Sequence, residues 1–160
     1  MKNSLLAILG LVAFSTCNKT RINNCCTGTP QIVYVDSSYI AMPDIFTPNA
    51  DGINDQLFVI YKNIVSSKLT IRKGTGEVFS STSITNSWDG GSEREKVYSY
   101  TLEAITTSGN VLSLSGDIAV IRDNCAKGNF EECHFATQFN FFSNSFDKSL
   151  PSLENIKVCN

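Results

Sequence analysis

The sequence predicts an all-β protein, an antiparallel β-sandwich of about seven strands in two packed sheets, followed by a disulfide-bearing C-terminal extension. Two observations lead to this fold class. Between residues 32 and 121, apolar side chains recur at every second position, the period of a strand with one buried and one wet face. Turn-forming residues separate these segments at short intervals, and residues 30–122 show no convincing helical periodicity.

The composition fits one compact domain with a real core. The 160 residues are 42% hydrophobic and 18% charged, too few charges for a disordered, self-repelling chain. The formal net charge is −2, so the chain lacks the basic excess with which proteins displace counterions from nucleic acid. We therefore expect no nucleic-acid partner.

Residues 1–16 are predicted to be a signal peptide. Lys2 supplies a positive charge, and residues 5–14 form an apolar stretch about half as long as a permanent transmembrane helix. The segment Phe-Ser-Thr-Cys that ends at Cys17 resembles a lipobox, so we predict cleavage before Cys17 and attachment of lipid to it. The polar residues 17–30 would then be a lipidated tether. The alternative is an ordinary cleaved signal, with Cys17 as a disulfide partner.

The six cysteines stand near the two ends of the chain, with none between 27 and 124. Outside the cytosol such residues form disulfides by default. We favour a local bridge between Cys125 and Cys133, and a long bridge that joins Cys25 or Cys26 to Cys159. A zinc site that includes the single histidine is the weaker alternative.

Residues 31–122 are predicted to form the sandwich. The alternation is clearest in three segments rich in β-branched and aromatic residues, 68–72, 98–104 and 112–120. Turn signals separate the strands at 73–76, 88–92 and 108–110, the last a predicted hairpin. Trp88 is expected to fill the core rather than to bind a ligand.

Residues 123–160 are predicted to form a Cys- and Phe-rich extension. Partial alternation of Phe135, Phe139 and Phe141 predicts a further strand there. The six phenylalanines of this segment either pack on the sandwich or form an exposed patch for a protein partner. They are Phe130, Phe135, Phe139, Phe141, Phe142 and Phe146.

Residues 45–55 read Ile-Phe-Thr-Pro-Asn-Ala-Asp-Gly-Ile-Asn-Asp. They resemble the opening of the gliding-motility-associated C-terminal domain, the type B sorting domain of type IX secretion. Four later landmarks are similar to that family in the same order: the strand pair 69–71 and 76–79, Trp-Asp-Gly at 88–90, Val-Tyr-Ser-Tyr at 97–100, and the closing strand 116–122. The resemblance covers residues 41–122 and implies an immunoglobulin-like sandwich that type IX machinery recognises as a sorting signal.

In that family the domain usually ends a large secreted protein, whereas here it follows a predicted lipid anchor and precedes residues 123–160. We therefore expect a non-enzymatic outer-membrane lipoprotein, in the periplasmic or cell-surface leaflet, that acts as an accessory or docking subunit of a secretion, gliding or uptake assembly. Its partners would be that protein complex and, through the lipid, the membrane, with no small-molecule substrate. The alternatives are a calcium-stabilised adhesion or ligand-binding module and a small type IX cargo.

The turn at 49–55 is a possible calcium site, although no cofactor is required. Oxygen-bearing side chains crowd around Gly52, and a glycine-kinked loop can turn several of them toward one hard cation. The candidate ligands are Asn49, Asp51, Asn54 and Asp55, with Asp89 from the turn at 88–92. The spacing is not that of an EF-hand, since the twelfth position is Ile60. The alternative is a structural turn, because Asn and Asp bond their own backbone.

The sequence offers little for catalysis. Its one histidine, His134, stands beside Cys133 in the extension, and no Gly-x-Ser-x-Gly elbow exists. The glycines at 74 and 76 lack the third glycine of a phosphate-binding loop. Glu131 and Glu132 are neighbours that would point apart on a strand. We expect no enzymatic activity.

Overall fold

A computed structural model describes residues 31–92, 96–122, 125–126, 133–154 and 156–158. This part of the chain contains one 3₁₀ helix, η1 (Ala136–Gln138), and no α-helix, so none of its helices could span a bilayer. The predicted all-β class is confirmed. The strands are β1 (Gln31–Val35), β2 (Ser38–Met42), β3 (Ile45–Phe46), β4 (Ile60–Lys62), β5 (Ile64–Lys73), β6 (Gly76–Ser81), β7 (Lys96–Thr106), β8 (Val111–Val120), β9 (Cys125–Ala126), β10 (Phe139–Asn140), β11 (Ser145–Phe146) and β12 (Lys157–Val158).

Two sheets carry eight of these strands, close to the predicted seven. One sheet has the order β3-β8-β7-β5-β6 and the other has the order β1-β2-β4. The prediction of purely antiparallel pairing is wrong at one edge, where Ile45 of β3 pairs in parallel with Ala119 of β8. A two-residue strand shows no alternation, so the sequence pattern could not reveal this pair. The immunoglobulin-like assignment stays a prediction.

The two sheets share one core. From β2 it receives Ile40 and Met42, and from the five-stranded sheet it receives the apolar residues that alternate along the three long strands. Trp88 is buried in this core as expected, 4.9 Å from Tyr98 and 5.6 Å from Phe46 between ring centroids. Its backbone forms a bridge to Leu57. The core contributions of the long strands are Leu69, Ile71, Tyr98, Tyr100, Leu102, Ala104, Leu112, Leu114, Ile118 and Val120.

The long strands lie where their alternation predicted them. β5 turns into β6 through residues 74 and 75, and β7 turns into β8 through the predicted hairpin. Gly74 and Gly109 take φ values of +61° and +85° in these turns, a region that glycine enters without strain. Among the described residues, the outer face of this sheet is exposed near the β7–β8 turn and holds a groove of about 300 Å³. It is lined by Ser66, Ser67, Lys68, Glu103, Ala104, Ile105 and Val111.

The extension forms a third layer. Phe139 and Phe146 pack on Tyr39, Ala41 and Ile60, which belong to the outer face of the three-stranded sheet. All five residues of β2 are therefore buried, with one face against the sandwich core and the other against the extension. The predicted strand at 135–141 is only two residues long, because η1 occupies the preceding three positions.

The phenylalanines of the extension differ in burial, and Phe130 lies outside the described residues. Phe135 is buried with Ile45 and Ile121 in a small second core, and Phe139 is buried in the third layer. Phe141 and Phe142, in contrast, are exposed.

Candidate functional site

The turn after β3 contains four of the five predicted calcium ligands. Two backbone bonds close it, from Thr47 N–H to the Asn54 carbonyl at 2.9 Å and from Asn49 N–H to the Thr47 carbonyl at 2.6 Å. Ala50, Gly52 and Asn54 all have positive φ. The chain therefore curls tightly here, and the polar side chains point back toward its own amides.

The carboxylates of the turn accept hydrogen bonds from the backbone. Asp55 accepts from the N–H groups of Ala50 and Gly52, both at 2.7 Å, and Asp51 accepts from Ile53 N–H at 2.8 Å. The Asp51 bond, to the amide two residues later, is that of an Asx turn, whereas Asp55 reaches back across the loop to earlier amides. Within the described ranges, no group of three or more His, Cys, Asp or Glu side chains is placed to hold a metal ion. The calcium site stays a prediction, and the turn already has internal partners for its carboxylates.

The second turn, at Asp89, is joined to the first by an arginine. The Arg122 guanidinium donates to the Pro48 carbonyl at 3.2 Å, to the Asp89 carbonyl at 2.7 Å and to the Gly91 carbonyl. The Asp89 carboxylate accepts from Gly91 N–H at 2.9 Å. The structure thus brings the two predicted turns together through Arg122. No side-chain motif indicates this role of Arg122, because its partners are backbone carbonyls.

Gly90 is required where these groups converge. Its φ is +80°, and a Cβ there would lie 3.0 Å from Val120, 3.1 Å from Arg122 and 3.2 Å from Phe46. Gly91 also has positive φ, but a Cβ there would meet nothing within 4 Å. The glycine of Trp-Asp-Gly therefore permits close packing against β3 and β8, whereas its neighbour serves the turn alone.

The extension reaches the first turn through Glu154. Its Oε1 accepts from Thr47 Oγ1 at 2.5 Å and from Asn54 Nδ2 at 3.0 Å, and Asn54 also donates to the Ser152 carbonyl at 3.1 Å. Burial raises the pKa of Glu154, and the nearby charges of Asp51 and Asp55 raise it further, against the lowering effect of its hydrogen bonds. Asn54 therefore fastens the extension to this turn.

Asp44 and His134 form a second contact between the extension and the sandwich. The backbone N–H of His134 donates to Asp44 Oδ1 at 2.6 Å. The imidazole Nδ1 of the same residue lies 3.6 Å from Asp44 Oδ2. Burial raises the pKa of Asp44 to about 6, although hydrogen bonds and the charge of Lys148 act in the opposite direction. The charge of Asp44, with burial as the larger cause, also raises the pKa of Tyr100. Asp44 is the single acidic residue in the otherwise mostly apolar segment 39–46, and this feature of the sequence could have indicated the site.

The predicted lipid and disulfide sites lie mostly outside the described residues. This holds for Cys17, Cys25, Cys26 and Cys159, while Cys125 is described only by its backbone in β9. Cys133 is buried in the second core and is disulfide-bonded. Its pairing with Cys125 stays a prediction.

Comparison with known proteins gives one match. Residues 40–116 match the family model of the CHU_C type IX secretion signal domain, which confirms the resemblance drawn from the sequence motifs. The match begins in β2, ends in β8 and contains both turns that Arg122 joins. No curated protein and no solved structure matches the chain.

Proposed function

From the match of residues 40–116 to the CHU_C type IX secretion signal domain, we propose that the chain is a non-enzymatic accessory lipoprotein of an outer-membrane assembly. The family places the protein in the cell envelope or among secreted proteins. In our proposal, lipid on Cys17 holds it at the outer membrane, and the sandwich serves as a docking subunit.

The docking of the extension on the domain carries this proposal. Phe139 covers the outer face of the three-stranded sheet, and Glu154 is bonded to the turn that opens the family motif. A sorting signal must be presented to the machinery that reads it. Here two of its surfaces are occupied by the same chain, so a structural role in a resident subunit fits better than a role as a removable or freely read tag.

The uncovered face of the five-stranded sheet supplies the test. Crosslinking mass spectrometry on native membranes should join Lys68, which lines the groove on that face, to an outer-membrane protein. Lys148, which lies near Asp44 on the extension side, is the matched comparison within the same protein. Recovery of crosslinks within the chain alone would count heavily against a docking subunit. The mass of the N-terminal peptide reports separately whether Cys17 carries lipid.

A small type IX cargo is the second candidate, and the family match itself favours it. Fusion of residues 41–160 to a reporter separates the two functions. Export of the reporter by a competent strain, and retention by a strain without the secretion machinery, would support the cargo function and contradict the resident subunit.

A further inference from the structure

Two adjacent phenylalanines project from the hairpin of the extension. Phe141 is 69% exposed and Phe142 is 101% exposed, in the turn between β10 and β11. Turns of this kind are ordinarily built from Asn, Ser and Gly, because those residues satisfy the backbone. Asn140 does this here, since its Oδ1 accepts from Phe142 N–H at 2.9 Å. The Asn140 side chain therefore bonds to the backbone of the turn, and the Phe142 ring is left in solvent.

The base of the hairpin holds this tip away from the core. The Phe139 ring lies 5.8 Å from Tyr39, 5.2 Å from Phe146 and 5.0 Å from Phe141, all between centroids. Phe139 and Phe146 cover the outer face of the three-stranded sheet, while the Phe142 ring extends into solvent.

The surroundings of the tip suit the interfacial region of a bilayer. Residues 138–146 contain no charged side chain, and their polar members are Gln, Asn and Ser. The next residues in the chain are Asp147, whose carboxylate is hydrogen-bonded to the Asn140 side chain at the base of the hairpin, and Lys148. An apolar surface enters a membrane to a depth of about 5–10 Å, at the boundary of headgroups and acyl chains, where neutral hydrogen-bonding groups remain solvated. A protein hot spot, in contrast, is usually a packed patch with a surrounding rim rather than a protruding tip.

The tip lies beside the point where the predicted tether enters the domain. The tether ends at residue 30 and β1 begins at Gln31, about 10 Å along the strand from Tyr34. The Tyr34 hydroxyl donates to the Asn144 carbonyl in the hairpin turn. A tether over residues 17–30 spans at most about 45 Å, so a lipid on Cys17 would keep this tip close to the bilayer at a high effective concentration.

We propose that Phe141 and Phe142 insert into the lipid surface to which the N-terminal tether holds the domain, so that the protein sits on the membrane in one orientation. The inference rests on the lipid anchor of the proposed function. The occupant of this tip is the phospholipid bilayer itself.

Tryptophan fluorescence of the full processed protein in protein-free vesicles of phosphatidylethanolamine and phosphatidylglycerol tests the inference. The native Trp88 is buried, so its emission is a constant background. Phe142→Trp should show a blue-shifted emission and quenching by brominated acyl chains. The control is Val111→Trp, at a position 70% exposed on the other sheet, which should show neither change.

The outcomes distinguish insertion of Phe142 into the bilayer from attachment of lipid to Cys17. Lipid on Cys17 with no quenching at position 142 overturns the insertion and leaves the anchor standing. Quenching at 142 without lipid on Cys17 supports insertion and contradicts the anchor. A tryptophan at 142 that is water-exposed in vesicles but shielded in native membranes indicates a protein occupant and overturns the lipid proposal.

Discussion

Neutralising Asp44 should remove a large part of the pH dependence of stability. The pKa of this carboxyl is about 6 in the folded protein, against an ordinary value of 3.8, because the group is buried. The folded state therefore binds a proton more tightly than the unfolded state does. The favourable contribution is complete below about pH 4 and is lost as the pH rises to about 6.

The magnitude follows from this difference in pKa. Each pKa unit corresponds to about 1.4 kcal/mol, so the complete titration is worth about 3 kcal/mol. About 2–2.5 kcal/mol of this is lost between pH 4 and pH 7, because the unfolded carboxyl is already about half ionised at pH 4. Asn at this position keeps an oxygen that can accept from His134 N–H but carries no charge. The free energy of unfolding of Asp44→Asn should therefore fall less than that of the wild type between pH 4 and pH 7, by about 2–2.5 kcal/mol.

Urea unfolding at intervals from pH 4 to pH 7, with disulfides intact and reversibility established, measures this difference. The comparison is repeated in a His134→Gln background, so that protonation of the imidazole does not contribute. Parallel pH profiles of wild type and Asp44→Asn in both backgrounds would refute the reasoning. They would mean that the carboxyl is solvated in the folded protein.

Three further predictions concern the turns and the extension. Gly90→Ala should destabilise the protein by about 1–3 kcal/mol more than Gly91→Ala in urea unfolding, because the new methyl group is overpacked only at position 90; equal losses would contradict this packing. Phe139→Ala should cost about 3–5 kcal/mol as a buried aromatic truncation, whereas the exposed Phe142→Ala should leave the midpoint almost unchanged; similar midpoints for both variants would exclude a docked third layer. Thermal melts with calcium and with chelator should agree within about 1 °C, because backbone amides already bind the carboxylates of the first turn; a clear rise of the midpoint with calcium would instead support the predicted metal site.

The sequence predicted the parts of the fold whose signal is local. Alternation along β5, β7 and β8 reports one wet and one buried face, and each turn between them carries glycine. β2 could not be found in this way. The extension buries Tyr39 and Ala41 on the face that would otherwise be wet, so the strand has no alternation.

The contacts of the candidate site were harder to predict from the sequence than the strands, because they join residues that lie far apart in the chain. Asp44 meets His134 across 90 residues, and Thr47 meets Glu154 across 107. The Asn and Asp residues around Gly52 predicted a turn correctly, yet their types alone could not distinguish carboxylates that bind amides from carboxylates that bind a cation. Arg122 bonds to carbonyls, which every residue has, so no pattern of side chains pointed to its partners.

The double-sided burial of β2 sets an order for folding. A chain that emerges N-terminus first, from a ribosome or a channel, presents Tyr39 and Ala41 long before Phe139 and Phe146 arrive to cover them. Until then one side of the three-stranded sheet stays hydrated, and the contacts that cover it join residues about 100 positions apart, which are slow to form. The third layer therefore packs only when the last fifth of the polypeptide is present. Any factor that delays release of that segment would keep the protein partly folded, with the apolar outer face of the three-stranded sheet exposed.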